Sequence, residues 1–460
     1  MGRRNENRAR AVGEFSGLDL GDPRREARAL AVMSRLATNP SDSLPEAMGT
    51  DAMLEGLYRH LSTPEVTLEE LLRPHVQQTI GRLAKTEFAY AIHDTTGFVF
   101  GGQSRRKGLG HVDNSKDQGF LAHVTLTVEP GPERLPLGVL AVGTRSRVGT
   151  KTQAESARWE VGVSLAEDMV PKGKLIHVAD RESDIYPLLS RAITESWRFV
   201  FRAAQDRTVW DSDNVVGLLF EEARGQAARL EFDVPLTARK ANAQPKQRAA
   251  HPPRNSRIAG LSASSTRVRI KRPAKRKDGL TYVDINVVRV WEPQPPNGEP
   301  PVEWLLLTSE PVETEAQLRA VIEAYRARWV IEEFFCAIKT GCAYEEKQLE
   351  SEKSLLNLLA YCIVIAYSLL VMRSLLRSRT DRPATDVLTE RQLTCLRLLS
   401  HGKLEKMPTA TQALMRVAAL GGHLKNNGPP GWRTLSRGFS KLLGGEEMYL
   451  LINPETSDQS

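Results

Sequence analysis

The stretch Leu355 to Met372, LLNLLAYCIVIAYSLLVM, limits the folds open to this chain more than any other. Coiled as a helix it is apolar all round, so it belongs either in a bilayer or inside a protein large enough to surround it. The run is barely long enough to span a membrane, and it contains Asn357 and Ser368. Lys353 and Arg373 flank it, and no second run of this kind accompanies it in a polar chain. We therefore expect a helix buried on all sides within a large α/β domain. The chain can supply such a core: 460 residues imply two to four domains, and 41% of them are hydrophobic against 26% charged.

The formal charge of +7 leans towards an anionic partner, although net charge bears on association rather than on fold. Cys336, Cys342, Cys362 and Cys395 form no CxxC pair and lack a His-rich neighbourhood. That argues against a structural zinc site or a disulfide framework and for a reduced, cytoplasmic protein. The charged N-terminus has no apolar h-region, so no secretion signal is expected.

Taken in order, residues 1–70 read as a small basic helical unit. Arg3, Arg4, Arg8 and Arg10 form a basic arm, and Asp22-Pro23 starts a helix that runs through Leu36 and stops before Asn39-Pro40. A second helix is expected from Leu44 through His60. Such a unit suits DNA-end recognition or is simply a solvated helical face. From Phe88 the pattern changes to FAYAIHDTT, a buried strand reaching a polar cluster at Asp94. Further strands are predicted at Phe120 to Val128 and Leu135 to Val142, after a basic loop from Gln103 to Gly110. A helix near Ala154 to Asp168 leads to KLIHVAD, a strand ending in Asp180, then a helix from about Ser183 and a strand at Trp197 to Ala203. Strands interleaved with helices give a mixed α/β sheet. About 100 residues of different character follow, with strands near Leu230 to Val234, Thr266 to Arg272 and Tyr282 to Val290. Within them Arg239 to Lys277 holds thirteen Lys or Arg and no acid, as a loop that contacts phosphates would. Glu303 to Thr308 returns to the apolar-strand pattern, so this block reads as a β insertion. Beyond Arg373 the chain becomes linker and short helices, with a turn cluster from Gly421 to Trp432, and suits self-association.

Between them lies EAYRARWVIEEFFCAIK, Glu323 to Lys339, uninterrupted by Gly or Pro. On a regular helix Tyr325, Arg328, Glu332 and Lys339 fall at i, i+3, i+7 and i+14, within a stripe roughly 60° wide. Such a face can hold phosphates, or it can be a solvated surface with i,i+4 ion pairs. Taken singly, Asp94 also suits a loop acid or a cap, and Asp180 an N-cap for the next helix. Asp180 is preferred to Asp184 and Glu182 because it directly ends its strand, whereas Asp184 sits where the helix dipole alone favours an acid. Taken together, Asp94, Asp180 and Glu332 put three carboxylates on three elements of one domain. Their hard oxygens suit Mg²⁺ or Mn²⁺ and two-metal phosphoryl transfer.

At this point the chain resembles the DDE transposases of the insertion-sequence-four family, the transposon-five type with the Tyr-Arg-Glu-Lys signature. The resemblance is carried by HDTT at Asp94, VADRESDIY at Asp180, EWLLLTSEPV at Trp304 and the Tyr-x2-Arg-x3-Glu-x6-Lys pattern from Tyr325 to Lys339. LDLGDPRREAR, YRHL at Tyr58 and ALGGHLKNNGPPGW extend it over nearly the whole chain. It implies a ribonuclease-H-like mixed-sheet core (71–376) interrupted by a β-strand insertion (about 204–302). A helical N-terminal DNA-end-binding domain (1–70) and a helical C-terminal dimerisation domain (377–460) would flank that core. Asp94, Asp180 and Glu332 would be both catalytic residues and ligands of two Mg²⁺ ions per site, with Mn²⁺ able to substitute. Tyr325, Arg328, Lys339 and Arg202 would grip DNA phosphates, and Trp304 would stack on a flipped base in a hairpin intermediate. The implied partners are double-stranded transposon ends and target DNA, bound by a homodimer in the bacterial cytoplasm at the nucleoid, with no membrane. The chain departs from the family where His-Lys often follows the paired glutamates: here stand Phe335 and Cys336. The metal triad is untouched, but that departure leaves room for the alternative, a copy that binds DNA without cleaving it.

Overall fold

In the computed structural model the described residues are 13–453, apart from 102–104, 113–116, 147–155, 212–213, 237, 240–251, 300, 379–382 and 425–429. The arm at Arg3 to Arg10 lies outside them, as do parts of the Gln103, Arg239 and Gly421 loops. Contacts divide the chain into two units: one of Met1–Ala89, Asp94–Gln153 and Trp329–Ser460, the other of Tyr90–His93 and Ala154–Arg328.

The first unit begins with helices α1 (Pro23–Thr38), α2 (Leu44–Met48), α3 (Asp51–Ser62) and α4 (Leu68–Ala84). Asp22 caps α1 as its sequence position requires, accepting from the Arg24 amide at 2.8 Å with Pro23 in the first turn. The single helix expected from Leu44 to His60 is two. Gly49 takes a left-handed conformation (φ 75°) that ends α2, and Thr50 then caps α3. Strands β1 (Ala89–Phe100), β3 (Gln118–Val128) and β4 (Pro136–Arg145) follow, with the two-residue β2 (Gly110–His111) on β3. β3 and β4 pair antiparallel with an irregular register near Leu126.

A network ties the start of the described chain to α4 and β4. The Glu14 carboxylate is 3% exposed and accepts from Arg82 at 2.6 Å and 3.1 Å. It also lies 2.6 Å from His75 Nδ1, while His75 Nε2 takes the Val139 amide at 3.0 Å. Because Nε2 accepts, the proton must sit on Nδ1 and face Glu14.

The apolar run is α10 (Glu352–Ser378), and 94% of its most hydropathic window is buried. Its polar residues are satisfied inside: Asn357 donates to the Leu61 and Val66 carbonyls, and Ser368 to Val364. Helices α11 (Glu390–Leu399), α12 (Ala410–Leu420) and α13 (Trp432–Ile452) complete the unit. All four cysteines are free.

The second unit takes Tyr90–His93 of β1 and continues through α5 (Ala157–Glu167), β5 (Leu175–Ala179), a short 3-10 turn (Arg181–Ser183), α6 (Tyr186–Thr194) and β6 (Arg198–Arg202). β5 and β6 run parallel, as a strand-helix-strand crossover demands. β12 (Glu303–Thr308) joins β6 antiparallel, pairing Leu306 with Arg202 and Thr308 with Val200. The insertion continues the same sheet outward through β11 (Tyr282–Trp291), β10 (Arg257–Lys271), β7 (Thr208–Asp211) and β8 (Asn214–Leu218), with β9 (Leu230–Leu236) on the other end of β10. Helix α7 (Leu219–Arg224) packs on β10 and β11, and Phe199, Phe201, Leu305, Leu307, Val268, Ile270 and Val283 share one core. The architecture is a mixed α/β sheet with a β insertion, as expected from the strand pattern.

Candidate functional site

In the second unit, alternation along the strands assembles a cluster. Leu305 and Leu307 point into the core, so Trp304 projects from the opposite face of β12 together with Leu306. Arg202, paired with Leu306 on β6, stands on that same face. Helix α8 (Glu315–Ala327), capped by Thr314 in a reciprocal box with Gln317, brings Tyr325 to them. Arg202 donates to the Tyr325 hydroxyl at 3.5 Å and to the Glu303 carbonyl at 3.1 Å. The Trp304 and Tyr325 rings are 5.5 Å apart and inclined at 58°. Trp304 is half-buried and Tyr325 7% exposed, so the indole is the more available of the two rings.

Asp180 directly ends β5, and its Oδ1 accepts the Glu182 amide at 2.9 Å, so it also caps the turn that follows. Asp184 is a structural group. It is 1% exposed, accepts the Ala204 and Gln205 amides at 2.7 Å and 2.8 Å, and pairs with Arg207. Arg181, next to Asp180, is a member of the cluster that the sequence pattern did not single out. Burial lowers the pKa of its guanidinium, the like charge of Arg202 lowers it further, and Tyr325 and Asp180 oppose both. Its only sequence signal is its place beside Asp180. Behind β5, a buried chain runs from His93 Nε2 to His177 Nδ1 at 2.9 Å and from His177 Nε2 to Glu167 at 2.9 Å. It fixes the backbone immediately before Asp94.

In the first unit Asp94 does not end its strand. β1 continues to Phe100, and what changes at Asp94 is exposure: Ala89 to His93 are buried, Asp94 to Gly97 half-buried. Asp94 Oδ1 accepts the Thr95 amide at 2.7 Å. Lys339 donates to the Gly97 carbonyl at 2.7 Å and lies 5.5 Å from the centre of the Phe98 ring. Glu345 accepts the Val99 amide at 2.8 Å and stands 3.9 Å from Lys339. Lys339 is thus held three residues along β1 from Asp94, about 10 Å at strand rise.

The helix carrying Tyr325 to Lys339 is not one regular helix. α8 stops at Ala327, α9 spans Trp329–Cys336, and Ala337–Gly341 is a π-helical turn. The wider turn offsets Lys339 from a straight 100° stripe drawn through Glu332. Tyr325 and Arg328 belong to the second unit, Glu332 and Lys339 to the first. Phe335 is 6% exposed and packs beside Phe334, so it serves the core, while Cys336 is exposed one turn after Glu332. Burial raises the Cys336 thiol pKa and the Glu332 carboxylate adds to it.

As a metal-binding set, Asp94, Asp180 and Glu332 have the right chemistry, three half-exposed carboxylates on regular elements. Among the described residues, however, no group of three or more His, Cys, Asp or Glu side chains is placed to hold a metal ion.

Residues 8–66 match the family described as Transposase DNA-binding, and residues 151–369 the family described as Transposase DDE domain. A solved structure, the cryo-EM structure of piggyBac transposase synaptic complex with hairpin DNA, matches over 97% of this chain and 79% of its own. It does so at 11% identity with a TM-score of 0.38.

Proposed function

We propose that this chain, a DDE-type transposase by its two matched domains, moves DNA by cutting and pasting. The observation that carries the reading is the Arg202–Tyr325–Trp304 cluster beside Asp180 and Arg181, set inside the DDE match. Two guanidiniums and a phenol at one strand end are donors and charges suited to phosphate oxygens. A half-buried indole beside them suits a base swung out of the duplex, since stacking offsets the lost neighbours. The N-terminal domain would recognise the element's ends, with α1 as its basic helix. Arg328 and Lys339 are the further proposed phosphate contacts, and Lys339 is already oriented by the Gly97 carbonyl.

Asp94, Asp180 and Glu332 are the proposed ligands of Mg²⁺ or Mn²⁺, two ions per site. A bound divalent ion supplies Lewis-acid activation of an attacking oxygen and neutralises charge on the leaving one. Hydrolysis, a DNA-hairpin intermediate, joining of 3′ ends to target, and a homodimer on paired ends complete the reading, with the bacterial cytoplasm as its setting. Phe335 and Cys336 on α9, where the resembled family often carries His-Lys, leave room for a second reading: a copy that binds DNA without cutting it.

Incubating the chain with Mg²⁺ and DNA bearing its element's ends, beside Asp180→Ala, separates the two. Hairpin ends and joined product from the unaltered chain alone support transposition. Binding with no cleavage in either protein sinks it in favour of the second reading.

A further inference from the structure

Many arginines of the second unit meet a carboxylate. Arg257 pairs with Glu292 and Glu299, Arg224 and Arg289 with Glu303, Arg198 with Glu310, and Arg191 with Glu160. The tip of the β10–β11 hairpin breaks this pattern. From Arg267 to Lys277 the chain carries seven Lys or Arg and no acid. Arg267, Lys271, Lys275, Arg276 and Lys277 are exposed and make no ion pair with a described residue.

The arrangement is ordered. Val268 and Ile270 are buried in the core, so Arg267, Arg269 and Lys271 stand on the outer face of β10. Register places Asn286, Asp284 and Tyr282 opposite them on β11, and Trp210 opposite Arg269 on β7. Lys271 lies 4.0 Å from the centre of the Trp210 ring and 5.7 Å from that of Tyr282, and Arg269 holds Asp284 in a two-point pair. The turn beyond is tied by Arg272, which donates to the Lys277 and Gly279 carbonyls at 3.2 Å and 2.7 Å. Asp284 is held by Arg269 and also faces Arg267, Asp211 acts on Arg269 from β7, and with Asp278 these three acids offset the seven cations only in part.

We propose that this hairpin face is a second, sequence-independent site for duplex DNA, held through the phosphate backbone and separate from the Arg202–Trp304 cluster. The proposal rests on the reading of the chain as a DNA transposase and extends it to the insertion. Clustered, like-charged, unpaired cations on a rigid hairpin are self-repelling when empty and are relieved by a polyanion. Arg267 to Lys271 spans about 14 Å, some four base pairs at one phosphate per ~3.4 Å on each strand. Trp210 and Tyr282 hold the Lys271 ammonium over their faces rather than offering an open stacking platform, which favours duplex over single strand.

The test is the salt dependence of binding by the full chain to a labelled mixed-sequence duplex. It compares Lys275→Ala/Arg276→Ala/Lys277→Ala with the charge-keeping Lys275→Arg/Lys277→Arg. Three lost contacts lower the slope of log affinity against log salt by about 2.7. Over a fourfold rise in salt the unaltered chain therefore loses about 40-fold more affinity than the alanine variant. The arginine variant keeps the full slope. A slope unchanged by the alanine substitutions at equal melting temperature overturns the proposal, as does a slope lost in the arginine variant. Failure of the chain to cut element ends would sink the transposition mechanism and leave this measurement standing.

Discussion

Replacing Glu14 by alanine should cost the first unit about 3 kcal/mol, and the magnitude follows from what the carboxylate does. It receives two bonds from Arg82 and one from His75, whose Nδ1–H has no other direction because Nε2 is held by the Val139 amide. Removing one partner of a buried charged network costs about 3–5 kcal/mol, chiefly because the other partner stays unpaired. Arg82 keeps 26% of its side-chain surface, so water recovers part of that loss and the lower end applies. Urea unfolding read by a probe in this unit should show a midpoint lower by about 1–2 M. Glu14→Gln should fall between the two proteins, because its amide oxygen can serve Arg82 but its amine faces the His75 Nδ1–H. The pH profile adds a check. Burial pushes the Glu14 pKa up, yet the bonds and charges of His75 and Arg82 outweigh it and the net shift is downward. Its contribution is therefore fully present above the usual carboxylate range and is lost as pH falls through the depressed value. Glu14→Ala should lack that acid loss. A variant within 1 kcal/mol of the parent, with the same acid limb, would refute the assignment of the network as a coupled unit.

Further outcomes are expected. His60, buried against Tyr361 and near Arg28, has its pKa lowered to about 4. The unfolded chain then binds the extra proton first, and stability falls from pH 6.5 to about 4 by of order 3 kcal/mol, a loss absent in His60→Gln. Asp184→Asn should lower the melting temperature, because two amides and Arg207 lose a charged acceptor, whereas Asp180→Ala should cost only about 1 kcal/mol through its cap bond while abolishing cleavage. Gly438→Ala should destabilise the C-terminal helices, since a methyl there would stand 1.9 Å from the Val417 carbonyl, and circular dichroism melting reads this directly. Trp304→Ala should reduce hairpin formation by about 5- to 160-fold with end binding retained, if one base stacks on the indole for about 1–3 kcal/mol; equal hairpin yield would remove Trp304 from that role.

Where local chemistry and global packing agree, the sequence could be read directly. Asp22-Pro23 starts α1, Asp180 directly follows β5, and α10 is buried, because each follows from composition within a few residues. Asp94 reads as a strand end because the apolar run gives way to a polar cluster there, yet β1 runs on through Phe98 and Phe100, which pack on Tyr344 and Phe120, distant in sequence. The broken helix after Tyr325 carries no Gly or Pro to announce it, and its π turn appears only once the segment packs on α10 and on β1. β7 and β8 were missed because they are short and half-exposed, and β10 begins at Arg257, earlier than its apolar residues suggest, since its small Ser and Ala side chains pair with β9. Arg181 had no pattern of its own; proximity to Arg202 and Tyr325 is a property of the folded sheet.

β12 lies directly against β6, and the Ala203 amide bonds the Leu305 carbonyl at 2.8 Å, so the insertion leaves and re-enters the sheet at one point. Adjacent strands sit about 4.8 Å apart, a gap that a two-residue turn closes. The inner face of Ala204 to Val302 shares the core of Phe199 and Leu305 and is fixed with it, while the outer face is an exchangeable part that can change without disturbing the joint between β6 and β12. Arg202 and Trp304 stand on the two flanking strands, outside the exchangeable part. Selection can then retune how strongly the chain holds DNA at the hairpin tip while the residues beside Asp180 keep their geometry.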